Sequence, residues 1–325
     1  MTGLAHRGFR FDDYRKHIAH RFREADMETV LCGVQHVAPD KSEIGYDRIL
    51  DGSTDYFSRG DITPEAWDLE NAGRVADYLR ARSERARSEA QPFFLSYGLL
   101  TTHRPFPTTV PDKSPWRYPP PPPAVPDTAE TRHDMEAFVT GLEYVDRAVG
   151  IVLDALAEAG LWESTAIVVT TDHGPPFPEM KNTLSDGGIG VSLMMRVPGI
   201  AESGRVERAL VSQADLYPTL CELVGVHSGS GESSDGYSLL PLLRGEVERV
   251  REAVFAEINY HATYEPARAA RSKRYKLIRH YGPANTPRPS NVDDSPAKEL
   301  MNGAGYFGIP RAREQLIDMH VDPTE

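Results

Sequence analysis

The chain has few cysteines and no long apolar run, and each absence excludes a class of protein. Only two cysteines, Cys32 and Cys221, occur in 325 residues. Each lies in an apolar stretch typical of a buried side chain, so no disulfide framework is predicted. No apolar run approaches the length that spans a membrane, and no apolar segment follows the first basic residues. We therefore expect a cytoplasmic protein with two buried free thiols and no membrane partner.

An excess of positive charge is also missing. The formal net charge is -12, from 36 Lys and Arg against 48 Asp and Glu. Because a phosphate backbone favours clustered cations, this balance argues against nucleic acid as a partner. An anionic substrate would need a local cationic pocket. The hydrophobic content of 40% is ordinary for a globular protein, which excludes disordered and collagen-like classes.

Three apolar segments, each preceded by helical sequence, predict the strands of an α/β fold. A histidine follows each segment beyond its carboxyl end. The carboxyl ends of parallel strands lie at one edge of a sheet, so these histidines are expected to converge on one crevice, together with Asp172. A lone Asp-His-Gly is more often a simple Asx-type turn. The segments are residues 29–32, 93–97 and 166–170, followed by His36, His103 and His173.

The apolar pattern also predicts how several of these elements are buried. Residues 166–170 lack polar alternation, which predicts a strand buried on both faces of a parallel sheet. Asp13 is predicted to cap the first helix. Residues 64 to about 90 predict a charged helix with a solvated outer face. An apolar stripe from Phe138 to Leu156 predicts a long helix that ends at a glycine cap, Gly160.

The pattern becomes more strand-like beyond Arg251. Strands are expected at residues 254–258 and 274–279, separated by a loop that contains His261. We therefore divide the chain into a main domain, residues 1–245, and a partial C-terminal α+β subdomain, residues 246–325. Two other segments are expected to be irregular: the proline-dense stretch 105–123, a stiff connector or the rim of a lid, and a surface linker at 227–236.

Several strings resemble the sulfatase family of the alkaline phosphatase superfamily, and they are spread over nearly the whole chain. Others resemble its heparan N-sulfatase (sulfamidase) branch. The first group comprises Met1-Thr2-Gly3-Leu4, Thr171-Asp172-His173-Gly174 with Lys181 and Gly187-Gly188, Asp215-Leu216-Tyr217-Pro218-Thr219-Leu220, the run from Asp235 to Leu243, and Gln315-Leu316-Ile317-Asp318 with Asp322-Pro323. The second group comprises Phe177-Pro178, Asn259-Tyr260-His261 and Tyr264-Glu265-Pro266.

The resemblance implies a fold and an activity. The fold is the alkaline phosphatase-like sulfatase fold, a largely parallel sheet flanked by helices with a smaller C-terminal α+β subdomain. The activity is metal-assisted hydrolysis of a sulfate ester or sulfamate on a small molecule or saccharide. In the family, a cysteine oxidised to formylglycine supplies the nucleophile, and a divalent metal ion, usually Ca²⁺, neutralises the sulfate oxygens.

The resemblance also assigns roles to residues. Asp172 and His173 correspond to metal ligands. His103 and Lys181 correspond to the cations that hold the sulfate and assist the leaving oxygen, and His36 to the histidine that contacts the formylglycine hydrate. His261 is assigned to the substrate.

Three departures from the family pattern limit what is expected of the chain. Val34 stands where the family has lysine. His173 stands where many members have asparagine, although Ca²⁺ prefers oxygen ligands. Neither Cys32 nor Cys221 lies in a Cys-x-Pro-Ser-Arg context, so the nucleophile segment is missing and the chain alone is expected to be inactive. The alternatives are a phosphomonoesterase or phosphonate hydrolase of the same superfamily and a non-catalytic anion-binding remnant.

Overall fold

A computed structural model describes residues 10–52, 56, 60, 62–83, 91–107, 119–200, 203–226, 235–282 and 286–325. The string at residues 1–4, part of the proline-dense stretch and most of the predicted linker lie outside these ranges. The strands are Glu28–Gly33 (β1), Arg48–Ile49 (β2), Phe93–Gly98 (β3), Ile167–Thr170 (β4), Leu193–Arg196 (β5), Ala253–Tyr260 (β6), Tyr264–Ser272 (β7), Tyr275–His280 (β8) and Glu314–Asp318 (β9). The α-helices are Ile18–Glu24 (α1), Pro64–Ser83 (α2), Ala129–Glu158 (α3), Asp186–Ile189 (α4), Leu216–Leu223 (α5), Leu240–Leu243 (α6) and Pro296–Gly303 (α7).

A parallel sheet with the strand order β2-β1-β3 confirms the predicted α/β class. Strands β1 and β3 end together, with Gly33 opposite Gly98. Gly33 has φ +83°, and a Cβ atom there would lie 2.1 Å from the carbonyl oxygen of Gly98, so this strand end needs glycine. The loops that carry His36 and His103 therefore start from the same edge of the sheet.

Strand β4 differs from its prediction. It pairs antiparallel with β5, with Val168 opposite Met195, in a separate two-stranded sheet. Its residues are only partly buried or exposed. The prediction of a strand buried on both faces of a parallel sheet is therefore wrong, because an apolar run records contact with a core but not the direction of the paired strand. Ile167 still packs against the core cluster that Leu95 of β3 joins.

Helix α2 is also more buried than its charged sequence predicts. Val75, Ala76 and Leu79 pack with Val30 of β1 and Leu156 of α3 in one core cluster. Burial of each large aliphatic side chain contributes roughly 1.5–3 kcal/mol. The prediction of a solvated outer helix is therefore wrong for this face. Glu70, Asp77 and Arg80 are exposed, whereas Asp68 and Arg82 on the same helix are buried.

The long helix α3 confirms the predicted apolar stripe in part, since Leu142 within the stripe is 42% exposed. Thr128 and Thr131 form a capping box at its N-terminus. Phe138 and Leu156 are buried. Gly160, with φ +68°, follows its C-terminus as predicted.

The start of α1 corrects the predicted cap. Asp13 caps a 3₁₀ turn, Tyr14–Lys16, and α1 begins only at Ile18. The residue at its N-cap is His17, whose Nδ1 accepts a hydrogen bond from the Ala19 backbone N–H at 3.3 Å. Histidine is an uncommon cap, so the sequence favoured the aspartate.

The position of His17 at this cap predicts that folding stability depends on pH. Burial, aided by the charge of His20, lowers the pKa of His17 to about 4. The unfolded chain binds a proton near the usual pKa of about 6.5 that the folded chain excludes. Folding stability should therefore fall as the pH decreases from about 6.5 to about 4, by roughly 3 kcal/mol in total.

Urea unfolding at about pH 7 and about pH 4.5 would measure this term. His17→Asn retains a side-chain acceptor but does not titrate, so it should lose distinctly less stability on acidification than the wild type. An equal loss in both proteins would show that other groups cause the effect.

The C-terminal sheet has the order β6-β7-β8-β9 and is antiparallel throughout. Strand β7 was predicted as a loop, which is wrong. Its alternation of alanine and arginine, with Pro266 near its start, has little of the β-branched composition typical of strands. Ala267 and Ala269 nevertheless pack against Leu184, in the loop before α4. The predicted boundary at residues 245/246 stays a prediction.

The described ranges bear on two expectations, one about the cysteines and one about membrane-spanning helices. Cys32 and Cys221 are both free and buried, as predicted, and burial raises the pKa of the Cys32 thiol to about 12. None of the helices in these ranges combines the length and the apolar composition that crossing a bilayer requires.

Candidate active site

The loop after β4 presents an acid and an imidazole side by side. The Asp172 side chain is 85% exposed, and its Oδ2 lies 3.5 Å from Nε2 of His173. Nδ1 of His173 lies 2.7 Å from the Gly174 carbonyl oxygen. Because that oxygen can only accept, Nδ1 carries the hydrogen and the lone pair of a neutral ring lies on Nε2. This is the arrangement in which histidines usually bind metals.

These donors fit part of a metal site. A carboxylate oxygen and an imidazole nitrogen could both bind a divalent cation, but Ca²⁺ takes six to eight oxygen ligands. In the described ranges no group of three or more His, Cys, Asp or Glu side chains is arranged to hold a metal ion. Asp172 and His173 therefore supply only a fraction of a coordination shell.

Lys181 lies in the loop that continues from Gly174. The backbone N–H of Gly174 donates to the Gly188 carbonyl at 2.9 Å, and that of Lys181 donates to the Pro175 carbonyl at 3.1 Å, so the loop folds back on itself. The Lys181 side chain is only 7% exposed, and its Nζ lies 2.8 Å from Oδ2 of Asp293. This ion pair joins the loop after β4 to the loop before α7.

Three of the predicted site residues lie near the carboxylate of Asp293. Burial alone would raise its pKa, yet the hydrogen bond from Lys181 and the positive charges of Lys181, His103 and His261 together hold the pKa below its usual value. The structure thus brings together three residues that the sequence had assigned to substrate and sulfate. Asp293 itself was missed, since nothing in its local sequence distinguishes it from a surface loop acid before a helix.

Asn291 fixes the loop on which Asp293 lies. Its side-chain oxygen accepts hydrogen bonds from the backbone N–H groups of Ala262 and Thr263, at 3.1 and 2.9 Å. Its backbone oxygen accepts one from Asn182 Nδ2 at 2.8 Å. One buried asparagine therefore connects the turn next to His261 with the loop next to Lys181. Sequence reasoning missed this residue as well.

The loop of His103 is held by a buried acid on α2. The Asp68 carboxylate accepts hydrogen bonds from the backbone N–H groups of Leu100 and Thr101 and from the Thr101 hydroxyl, at 2.9, 2.8 and 2.5 Å. The backbone N–H of His103 in turn donates to the Leu100 carbonyl at 2.7 Å. Burial raises the pKa of Asp68 against the opposing effect of the Thr101 hydrogen bonds.

Arg104 connects the loop of His103 to the rest of the site. Its guanidinium forms two hydrogen bonds of 2.7 Å to Asp134 of α3 and lies 4.1 Å from the ring centroid of Phe106. Its Nε donates to the Pro176 carbonyl at 2.9 Å. The loops that follow β3 and β4 are therefore joined, although these strands lie in separate sheets.

His36 lies in the exposed loop after β1, at the sheet edge that also bears the loop of His103. The neighbouring Gln35 orders this loop by accepting hydrogen bonds from the backbone N–H groups of Val37 and Ala38, at 2.7 and 2.9 Å. The role assigned to His36 stays a prediction.

Two family models match the chain. One is described as Sulfatase and covers residues 10–226. The other is described as N-sulphoglucosamine sulphohydrolase, C-terminal, and covers residues 180–302. The chain belongs to the sulfatase family. Members of this family generally use a divalent metal ion and a formylglycine.

Curated relatives of this chain support its assignment to the sulfatase family. An ulvan-active sulfatase from Formosa agariphila is 32% identical over 217 residues, which cover 63% of this chain and 36% of the relative. The N-sulphoglucosamine sulphohydrolase of Homo sapiens is 29% identical over 246 residues, which cover 66% of this chain and 48% of the relative. The chain thus spans less than half the length of either relative.

Solved structures show the same fold. A 2-O GAG sulfatase superposes with a TM-score of 0.66 at 20% identity, over 94% of this chain and 68% of that one. A protein solved in complex with its substrate D-glucosamine-2-N,6-O-disulfate also superposes with a TM-score of 0.66, at 13% identity, over 99% of this chain and 79% of that one.

Proposed function

We propose that this chain supplies the sulfate-binding part of a hydrolase that acts on a sulfate ester or sulfamate. The observation that carries the proposal is the buried Lys181 ammonium, 2.8 Å from Asp293, in a member of the sulfatase family. His103 and His261 lie near enough to the same carboxylate to lower its pKa. A sulfate group spreads negative charge over several oxygens. Fixed cations stabilise such charge best where water is partly excluded, and Lys181 is almost fully buried.

Each residue is given a role in this mechanism. Lys181 binds a sulfate oxygen through those N–H groups that do not contact Asp293. Nδ1 of His103 lies 2.6 Å from the Arg104 carbonyl oxygen, and we assign to Nε2 the delivery of a proton to the leaving atom. His36 contacts the attacking group. Asp172 and His173 would hold the divalent metal ion, most simply Ca²⁺, which would supply positive charge to the sulfate oxygens, and a formylglycine would supply the nucleophile.

The proposed substrate is a sulfated saccharide. Support comes from the name of the human relative, N-sulphoglucosamine sulphohydrolase, and from the disulfated glucosamine bound to one structural neighbour. The match to the C-terminal model of that sulphohydrolase includes both His261 and Asp293. We assign His261, which lies on the turn between β6 and β7, to the saccharide side of the site.

Assays of the full gene product would test the proposal. We expect turnover of N-sulfoglucosamine or an aryl sulfate, with the matching aryl phosphate hydrolysed at least about a hundredfold more slowly. Asp172→Asn should abolish this turnover, whereas Asp294→Asn, on an acid whose side chain is 99% exposed, should not change it. Faster phosphate turnover would instead support a phosphomonoesterase or phosphonate hydrolase. Sulfate binding without turnover would support a non-catalytic remnant.

A further inference from the structure

We propose that Asp293 is a positioning residue that holds Lys181 at the sulfate site and balances the charge of His103 and His261. The inference rests on the proposed function, because it assigns a purpose to an acid within an anion site. A carboxylate next to a bound sulfate would repel it, so simple electrostatics predicts that the site would be better without Asp293. The geometry points to the opposite conclusion.

The first argument is the burial of Lys181. Its side chain is 7% exposed, and Asp293 Oδ2 is 2.8 Å from its Nζ. A buried ammonium group without a partner is unfavourable, and lysine responds by losing its proton or by moving toward water. Either response would remove the cation from the site. The ammonium has three N–H donors, so one hydrogen bond to Asp293 leaves two for a sulfate oxygen.

The second argument is that the position of Asp293 is fixed from both sides. Asn291 ties the preceding backbone to the turn after His261 and to the loop of Lys181. The Lys298 side chain donates to the Val292 carbonyl at 2.8 Å. The Ser295 hydroxyl contacts the carbonyl of Asp293 itself at 3.3 Å. A carboxylate that is fixed in this way can set the position of the lysine.

The third argument is charge. Lys181, His103 and His261 bring up to three positive charges to one region, and each lowers the pKa of Asp293. By reciprocity, the ionised carboxylate favours the protonated form of both imidazoles. Two other charged side chains nearby have partners of their own: Arg104 pairs with Asp134, and Glu265 contacts Asn291 and Arg311. Asp293 therefore supplies a negative charge close to all three cations.

The test combines a binding measurement with a titration that needs no turnover. Wild type, Asp293→Asn and Asp293→Glu would be titrated with sodium sulfate by calorimetry. The midpoints of His103 and His261 would be followed by NMR and assigned with His→Gln variants. Asp294→Asn is the matched control, because it removes the same charge from the next residue, which is 99% exposed and pairs with Lys298 at the surface.

We expect Asp293→Asn to weaken sulfate binding at least about tenfold and to lower both histidine midpoints, with Asp293→Glu restoring most of both properties and Asp294→Asn leaving both unchanged. Equal or tighter sulfate binding by Asp293→Asn, or unchanged midpoints, would overturn the inference. If the wild type binds no sulfate, the proposed function fails, and the midpoints alone decide the role of Asp293. If Asp293→Asn does not fold, Asp293→Ser replaces it in both measurements, and the same outcomes decide.

Discussion

Replacing Lys181 with methionine is expected to lower kcat/KM for a sulfated substrate by about a thousandfold in the full gene product. Methionine retains the buried aliphatic stem but removes the ammonium group that would bind a sulfate oxygen. The change also leaves the Asp293 carboxylate without its 2.8 Å partner, so an uncompensated negative charge would face the substrate. The loss of the ammonium group and the unpaired carboxylate therefore both lower kcat/KM.

Steady-state kinetics with an aryl sulfate would measure this effect, and the division between kcat and KM would locate it. A loss mainly in kcat would mean that the ammonium acts in the transition state. Lys273→Met is the matched control, since Lys273 lies exposed in the turn between β7 and β8 and should leave both constants unchanged. A loss of less than about tenfold for Lys181→Met would remove Lys181 from the proposed machinery.

Replacing Asp68 with alanine is expected to destabilise the fold by about 4 kcal/mol. The change strands three buried donors, the Leu100 and Thr101 N–H groups and the Thr101 hydroxyl. Each such loss costs roughly 1–3 kcal/mol. The total should stay below the largest sum because burial already raises the pKa of Asp68, so its ionised form carries a desolvation cost that the variant no longer bears.

Denaturant unfolding of Asp68→Ala and of Asp77→Ala would measure this cost. Asp77 lies on the same helix, α2, but its side chain is 82% exposed, so its replacement should change stability by no more than about 0.5 kcal/mol. Asp68→Ala should also lower turnover, because the turn that it anchors leads directly to His103. A variant as stable as the wild type would mean that another group replaces the carboxylate.

The sequence predicted those features of the fold that depend on neighbouring residues in the chain. It did not predict features that depend on elements distant in the sequence. The stripe on α3 and its glycine cap report local geometry, and the cap and most of the stripe were predicted correctly. The direction of β4 depends on which strand lies beside it, and its apolar residues would look the same in either sheet. The burial of α2 depends on the helix packed against it, which charged residues on the opposite face concealed.

The same distinction applies to the candidate site. The resemblance to sulfatases pointed to Lys181, His103 and His261, and the structure brings these three together. The role of Asp293 could not be predicted, because it depends on contact with Lys181, a residue 112 positions earlier in the chain. Asn291 and Asp68 act in the same way, through backbone groups on distant loops. Residues that hold a site in place carry no chemical motif of their own.

Because both thiols are buried, their reaction with a labelling reagent can report local or global unfolding of this chain. Cys32 lies in the core between β1 and α2, where its Sγ is 3.7 Å from the Asn71 carbonyl oxygen. A thiol whose pKa is raised to about 12 has almost no thiolate at neutral pH and reacts slowly with alkylating reagents. The rate at which Cys32 becomes labelled therefore measures how often the main sheet opens, without any engineered probe.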